Sequence, residues 1–228
     1  MSLNQMTQWM LPSVTAIVDR VFPFPDFVRD KWVKSMSAKA GRDITYEELM
    51  DVAQRGGTYL HDYARQVCGG MPMFDAPPEH YAPFCDGIWH FLHDRKVEMI
   101  LAERKVVKSG EYYWHIDLFC SMEYNGERIK VLVDFKSYGL TNILLGIKED
   151  MDKKDISSNK KKVQLQLSLY RDALQETFPE YQGETIYLMC IWVAKGRCEI
   201  IMLPYDSKQY DNYKLMSHNP NANEDKQD

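Results

Sequence analysis

The chain is short of several things, and each shortage closes off a class of protein. Its five cysteines, at positions 68, 85, 120, 190 and 198, are odd in number and scattered. No C-x-x-C pair or Cys/His cluster with zinc spacing occurs, so neither a disulfide framework nor a structural zinc is expected. Positive charge is not in excess: 28 Lys and Arg against 33 Asp and Glu leave a net charge of −5. Binding to nucleic acid would therefore need a local basic patch rather than a global field. The longest apolar run, Ile186 to Ala194, has nine residues, about half of a membrane span. The start, MSLNQMTQWMLPS, lacks the basic beginning and continuous apolar stretch of a signal peptide. The expectation is a cytoplasmic protein with reduced thiols and no membrane contact. No P-loop G-x-x-x-x-G-K-[ST] is present, so no helicase motor is expected.

What is there suffices for one globular domain. The 228 residues are 45% hydrophobic and 27% charged, with 12 Gly and 10 Pro, which is not a low-complexity composition. The pattern predicts a single domain over residues 1–213, helical through residue 100 and α/β over 101–205, with a disordered tail at 214–228. Short helices joined by turns fill the first forty residues. Thr45-x-x-Glu48 has the form of a capping box, predicting a helix from Tyr46 to Arg55. Gly56-Gly57 should then interrupt it before a second helix over Thr58 to Cys68. Gly69, Gly70 and four prolines make 69–86 a loop or flap, and helical spacing resumes from Ile88 to Ile100.

Beyond residue 100 the period changes to two. Leu101–Val107, Tyr112–Tyr124 and Arg128–Ser137 read as a meander of three strands. A polar connection over 139–162 leads to a helix over Val163–Phe178, a buried strand over Ile186–Ala194 and a last strand over Cys198–Pro204. The fold class is therefore α/β: a mixed sheet with an antiparallel three-strand meander, a crossover helix and a returning strand, flanked by helices.

The Asn125-Gly126 dipeptide carries the sharpest information, because it is a strong two-residue hairpin signal. If it is the whole loop, Tyr124 faces Glu127 and Asp117 lies directly across from Asp134. Opposed side chains have Cβ atoms roughly 4.5–5.5 Å apart, and like charges there destabilise a sheet. Lys136 projects from the same face as Asp134 and supplies part of the compensating charge. A divalent cation could supply the rest, and hard oxygen ligands suit Mg²⁺ or Mn²⁺. The competing readings are an ordinary ion pair and one carboxyl held protonated by the other.

These residues resemble the PD-(D/E)XK nuclease superfamily, in its RecB-like and lambda-exonuclease-like DNA exonuclease branch. Four segments stand in family order between residues 55 and 175: Arg55-Gly56-Gly57-Thr58-Tyr59-Leu60-His61, Ala102-Glu103-Arg104-Lys105-Val106, Ile116-Asp117-Leu118 with Val133-Asp134-Phe135-Lys136-Ser137, and Gln166-Leu167-Ser168-Leu169-Tyr170. The resemblance implies a restriction-endonuclease-like core and a metal-dependent deoxyribonuclease, an exonuclease of phage-type recombination or repair. It implies His61, Asp117, Asp134 and the carbonyl of Phe135 as ligands of Mg²⁺ or Mn²⁺, with Lys136 positioning the attacking water and offsetting transition-state charge. Glu103 would hold a metal-bound water or a second ion, and Gln166 and Tyr170, on one helix face, would orient Lys136 or the DNA backbone.

Partners implied by the resemblance are DNA and a single-strand annealing protein, and a homo-oligomer is compatible with it. Where the family has a glycine before I-D, this chain has His115, giving a narrower pocket, a further proton donor or an ordinary strand histidine. The four-cysteine iron–sulfur arrangement of some relatives is missing. Glu103 meets Asp117 only if the turn before Tyr112 has three residues, Ser109-Gly110-Glu111; a two-residue turn sets it against Ile116. Lys153, Lys154 and Lys160 to Lys162 are the one positive concentration, diluted by Glu149, Asp150, Asp152 and Asp155. The competing function is a catalytically silent nucleic-acid-binding or assembly module on the same fold.

Overall fold

A computed structural model of the chain describes residues 11–70, 75–137, 139–147 and 157–217. Four helices come first: α1 (Val14–Val21), α2 (Asp26–Ala40), α3 (Tyr46–Cys68) and α4 (Ala82–Asp94). Strands β1 (Glu98–Lys108), β2 (Tyr112–Tyr124) and β3 (Glu127–Ser137) follow, then α5 (Leu140–Leu144) and α6 (Ser157–Thr177). A 3₁₀ turn at Pro179–Tyr181 leads to β4 (Ile186–Ala194), β5 (Arg197–Leu203) and α7 (Lys208–Ser217).

The five strands form one mixed sheet in the order β1-β2-β3-β4-β5. Only β3 and β4 run parallel, because α6 carries the chain back across the sheet between them. One face packs against α1, α6 and Tyr210 of α7 through Ile17, Val18, Leu167, Tyr170 and Leu174. The other packs against α3 and α4 through Leu60, Tyr63, Phe84, Ile88 and Phe91. A third, smaller cluster joins Met36 of α2 and Leu49 and Val52 of α3 to Leu145 and Ile147. The mixed α/β sheet with its meander, crossover helix and returning strand thus matches the sequence pattern.

The hairpin register is the one the Asn125-Gly126 turn predicts. Tyr124 pairs with Glu127 and the ladder runs in step to Leu118 and Val133. Asn125 (φ 51°) and Gly126 (φ 82°) both lie in the left-handed region, as a two-residue turn of this hand demands. The turn before Tyr112 has three residues, since Lys108 pairs with Tyr112.

Several expectations need correction. Gly56-Gly57 does not interrupt the helix: α3 runs unbroken for 23 residues. Its start is capped as expected, the Thr45 hydroxyl accepting from the Glu48 amide at 3.1 Å, but the Glu48 carboxylate turns to Arg42. Gly56 serves close approach instead, because a Cβ there would lie 3.0 Å from Cδ2 of Leu140. Helix α4 begins at Ala82 rather than Ile88, with Pro83 in its first turn, where a missing amide costs nothing. Residues 98–100 belong to β1, and α6 starts at Ser157, earlier than the apolar stripe suggested. Helix α7 extends to Ser217, into the segment expected to be disordered; the remainder of that tail, and Lys153 and Lys154, lie outside the described residues.

Candidate active site

The site lies where the sheet splits. Leu118 and Val133 form the last pair of the β2/β3 ladder. Yet β3 stays paired to β4 as far as Ser137, and β2 stays paired to β1 back to Tyr112. The two middle strands therefore diverge at their next residues, Asp117 and Asp134. Beyond this fork the β1–β2 ribbon also rolls over. Ile116 packs with α6 while Leu118, two residues on, packs with α3 and α4. Val106 and Ala102 on β1 make the same exchange of faces. Regular strand alternation would keep each of these pairs on one side. The residue at the pivot of β1 is Glu103, with φ 49°, an uncommon conformation for a residue with a Cβ.

Four elements converge on the fork. From β3, Asp134 is wholly buried. Its Oδ1 accepts from Nζ of Lys136 at 2.9 Å and from Nε2 of Gln166, on α6, at 3.1 Å. The same Gln166 nitrogen donates to the hydroxyl of Tyr170 at 2.7 Å. From α3, Nδ1 of His61 is 3.5 Å from Oδ1 of Asp117, while Nε2 donates to the carbonyl of Phe135 at 3.0 Å. His61, Asp117, Asp134, Phe135, Lys136, Gln166 and Tyr170 are thus brought together from sequence positions more than a hundred residues apart.

The electrostatics show a strained balance. Burial, opposed by the charge of Lys136 and reinforced by that of Asp117, pushes the Asp134 carboxyl up to about 6. Burial also acts to raise Asp117, but its hydrogen bond to His61 and the imidazolium charge outweigh this and hold it below the usual carboxylate range. Burial disfavours the charged form of His61, yet Asp117, then Asp134 and the Phe135 carbonyl, lift it to about 9. Lys136 resists its own burial because both aspartates favour its charged form, and 35% of its side chain remains exposed at the mouth. The chain thus neutralises its paired carboxylates with an imidazolium and an ammonium.

A dication fits this donor set. Asp134 keeps its second oxygen, Oδ2, buried with no hydrogen-bond partner among the described residues, an expensive arrangement unless something engages it. Two carboxylates and a carbonyl are the oxygen ligands a hard cation takes. The groups are nonetheless turned towards one another rather than splayed as a cage. Among the described residues, no three His, Cys, Asp or Glu side chains form a metal-holding group.

The remaining predicted residues fall into place less uniformly. Glu103 sits between the Ala102–Leu118 and Arg104–Ile116 pairs, so it stands across from Asp117, as the three-residue turn requires. Burial and the Asp117 charge raise its carboxyl. Tyr170 is 1% exposed and is therefore held away from any DNA backbone: it anchors Gln166, and its ring stacks on Trp114 with centroids 6.4 Å apart. His115 is exposed on β2, paired across the ladder with Lys105.

Two neighbours of the site escaped the sequence reading. Arg65 lies one helical turn beyond His61, its Nη2 3.0 Å from Asp62 and its Nε buried without a partner among the described residues. Its charge acts on Glu103. The i, i+4 spacing from His61 was the available signal. Trp114 is the second, and nothing in its local sequence shows that it stacks on Tyr170. Comparison with protein-family models and with curated proteins returns no match for the chain.

Proposed function

We propose that the chain is a metal-dependent deoxyribonuclease with a restriction-endonuclease-like core of the PD-(D/E)XK type, acting from DNA ends as an exonuclease in phage-type recombination or repair. The observation that carries this reading is the convergence of Asp117, Asp134 and Lys136 at the fork, with an unpartnered carboxylate oxygen at its centre.

Asp117, Asp134 and the Phe135 carbonyl would hold Mg²⁺ or Mn²⁺, with His61 as the further ligand once its proton is released. An ion held there would supply a water of lowered pKa and polarisation of the scissile phosphate. In the hydrolysis, the water oxygen bonds to phosphorus, the phosphorus–sugar oxygen bond breaks and the departing oxygen takes up a proton. Lys136, paired with Asp134 yet open to the mouth, is placed to offset the charge that grows on the phosphoryl oxygens. Gln166 fixes the orientation of the Asp134 carboxylate, and Tyr170 fixes Gln166. Glu103, across from Asp117, faces the same opening with a carboxyl of raised pKa, suited to holding a water.

Incubation of linear and circular duplex DNA with Mg²⁺, Mn²⁺ or EDTA tests the reading. Degradation of the linear duplex alone, abolished by EDTA, is expected. Cleavage of the circle would make the enzyme an endonuclease. No hydrolysis with either cation would leave a catalytically silent module on the same fold.

A further inference from the structure

Rolling of the β1–β2 ribbon at the Glu103–Asp117 rung gives it a face that no helix among the described residues covers. Beyond the pivot, Val106, Tyr112, Trp114 and Ile116 all pack towards α6. Strand alternation then turns Lys105, Tyr113 and His115 to the opposite side. There Lys105 and His115 are a cross-strand pair, both exposed, and Nζ of Lys105 lies 4.9 Å from the ring centroid of Tyr113. Ahead of the pivot the same side of the sheet is covered by α3 and α4. The bare face therefore starts at the fork itself, where His61 and Arg65 enter from α3.

We propose that this bare face, with Arg65, is the track on which the phosphodiester backbone of the nucleic acid lies as it enters the fork. The inference rests on the nuclease reading for its ligand and on the ribbon's geometry for its place. Charge complementarity selects the occupant. In a chain of net charge −5, Lys105 and Arg65 put two cations beside the mouth. His115 adds a ring nitrogen able to donate to a phosphate oxygen. Tyr113 underlies Lys105 and holds its ammonium over a ring face, which limits the rotamers it samples. Arg65, its side chain 39% exposed and tied to Asp62 through Nη2 at 3.0 Å, keeps further guanidinium donors that a phosphate oxygen suits. Spacing along the ribbon also fits: positions 113 and 115 precede Asp117 by four and two residues, so successive phosphates of one strand would meet Tyr113/Lys105, then His115, then the carboxylates.

The test is fluorescence anisotropy of a labelled linear duplex in EDTA, where nothing is cut, measured over a range of salt concentrations. For Lys105→Gln and Arg65→Gln we expect weaker binding and a shallower dependence of log affinity on log salt, by about 0.9 for each phosphate that the variant no longer neutralises. His115→Ala should weaken binding without changing that slope. Lys208→Gln, at the start of α7, should bind as the wild type does. With Mg²⁺, the Lys105 variant should show a raised KM at nearly unchanged kcat.

Unaltered affinity and slope in both Lys105 and Arg65 variants, in an enzyme that cuts DNA, would overturn the track and leave the nuclease reading standing. Altered slopes in a protein that cuts nothing with either cation would uphold the track and sink the nuclease reading. Absence of any duplex binding overturns the track. Lys105→Glu, at an exposed site, gives a second variant whose folding is checked by its melting curve.

Discussion

Glu103 stands opposite Asp117 on the rung where the β1–β2 ribbon changes sides, and it does so with a left-handed backbone. The position favours glycine on conformational grounds, by roughly 1–2 kcal/mol for a residue that carries a Cβ. Glu103→Gly should therefore be more stable than Glu103→Ala by about 1 kcal/mol in urea unfolding, while both lose activity. Equal stability of the two variants would mean that this backbone is not strained.

His61 gives the metal-free protein a pH dependence of definite sign. The folded chain keeps the imidazole proton up to about 9, whereas the unfolded chain releases it near 6.5. The stabilisation is fully present below pH 6.5 and is lost as the pH rises to 9. Its extent is on the order of 3 kcal/mol. In EDTA the wild type should lose that much between pH 6.5 and 9, and His61→Gln should lose far less. Parallel stability curves for the two proteins would refute the imidazolium pairing.

Asp134 acts in the same direction at lower pH. Its folded value of about 6 exceeds that of an exposed aspartate, so the metal-free protein loses stability as the pH climbs towards 6. Asp134→Asn keeps an acceptor for Lys136 and Gln166 and removes the buried charge. At pH 8 in EDTA it should be more stable than wild type by roughly 2–3 kcal/mol, and hydrolysis should be lost. A less stable Asn variant would contradict the burial penalty assigned to this carboxylate.

The two adjacent glycines of α3 should respond in opposite ways. Gly57 has open space about it, so Gly57→Ala should stabilise by about 0.5–1 kcal/mol through helix propensity. Gly56→Ala gains the same propensity but drives a methyl against Leu140, which is 1% exposed. We expect it to be less stable than Gly57→Ala by at least about 1 kcal/mol. Thermal melts of the pair decide this.

Much of the site was legible because short-range rules govern it. Turn chemistry at Asn125-Gly126 set the register as far as Leu118 and Val133; the expected direct pairing of Asp117 with Asp134 does not form, because the strands part at those two residues. Alternation placed Lys136 beside Asp134, and helical spacing placed Gln166 beside Tyr170. What stayed hidden was tertiary. Two consecutive glycines look like an interruption until a leucine from α5 is seen to need the room. Tyr170 looks like a surface residue of its helix until Trp114 is found stacked on it. The rollover of the β1–β2 ribbon left no mark in the apolar pattern, because Glu103, Arg104 and Lys105 are polar whichever way they point. Arg65 was overlooked for a related reason: an arginine on a long helix is usually solvated, and only its orphaned Nε marks this one out.

Strand β1 lies at the rim of the sheet, where a row of amides and carbonyls could template another chain, although Thr177 already bonds both groups of Val107. The left-handed twist at Glu103 breaks that row midway and bends the strand away from a flat edge. An antiparallel match centred on this point would bring Arg104 and Lys105 against their own counterparts. One unusual φ angle thus makes the middle of this rim a poor template for edge-to-edge pairing.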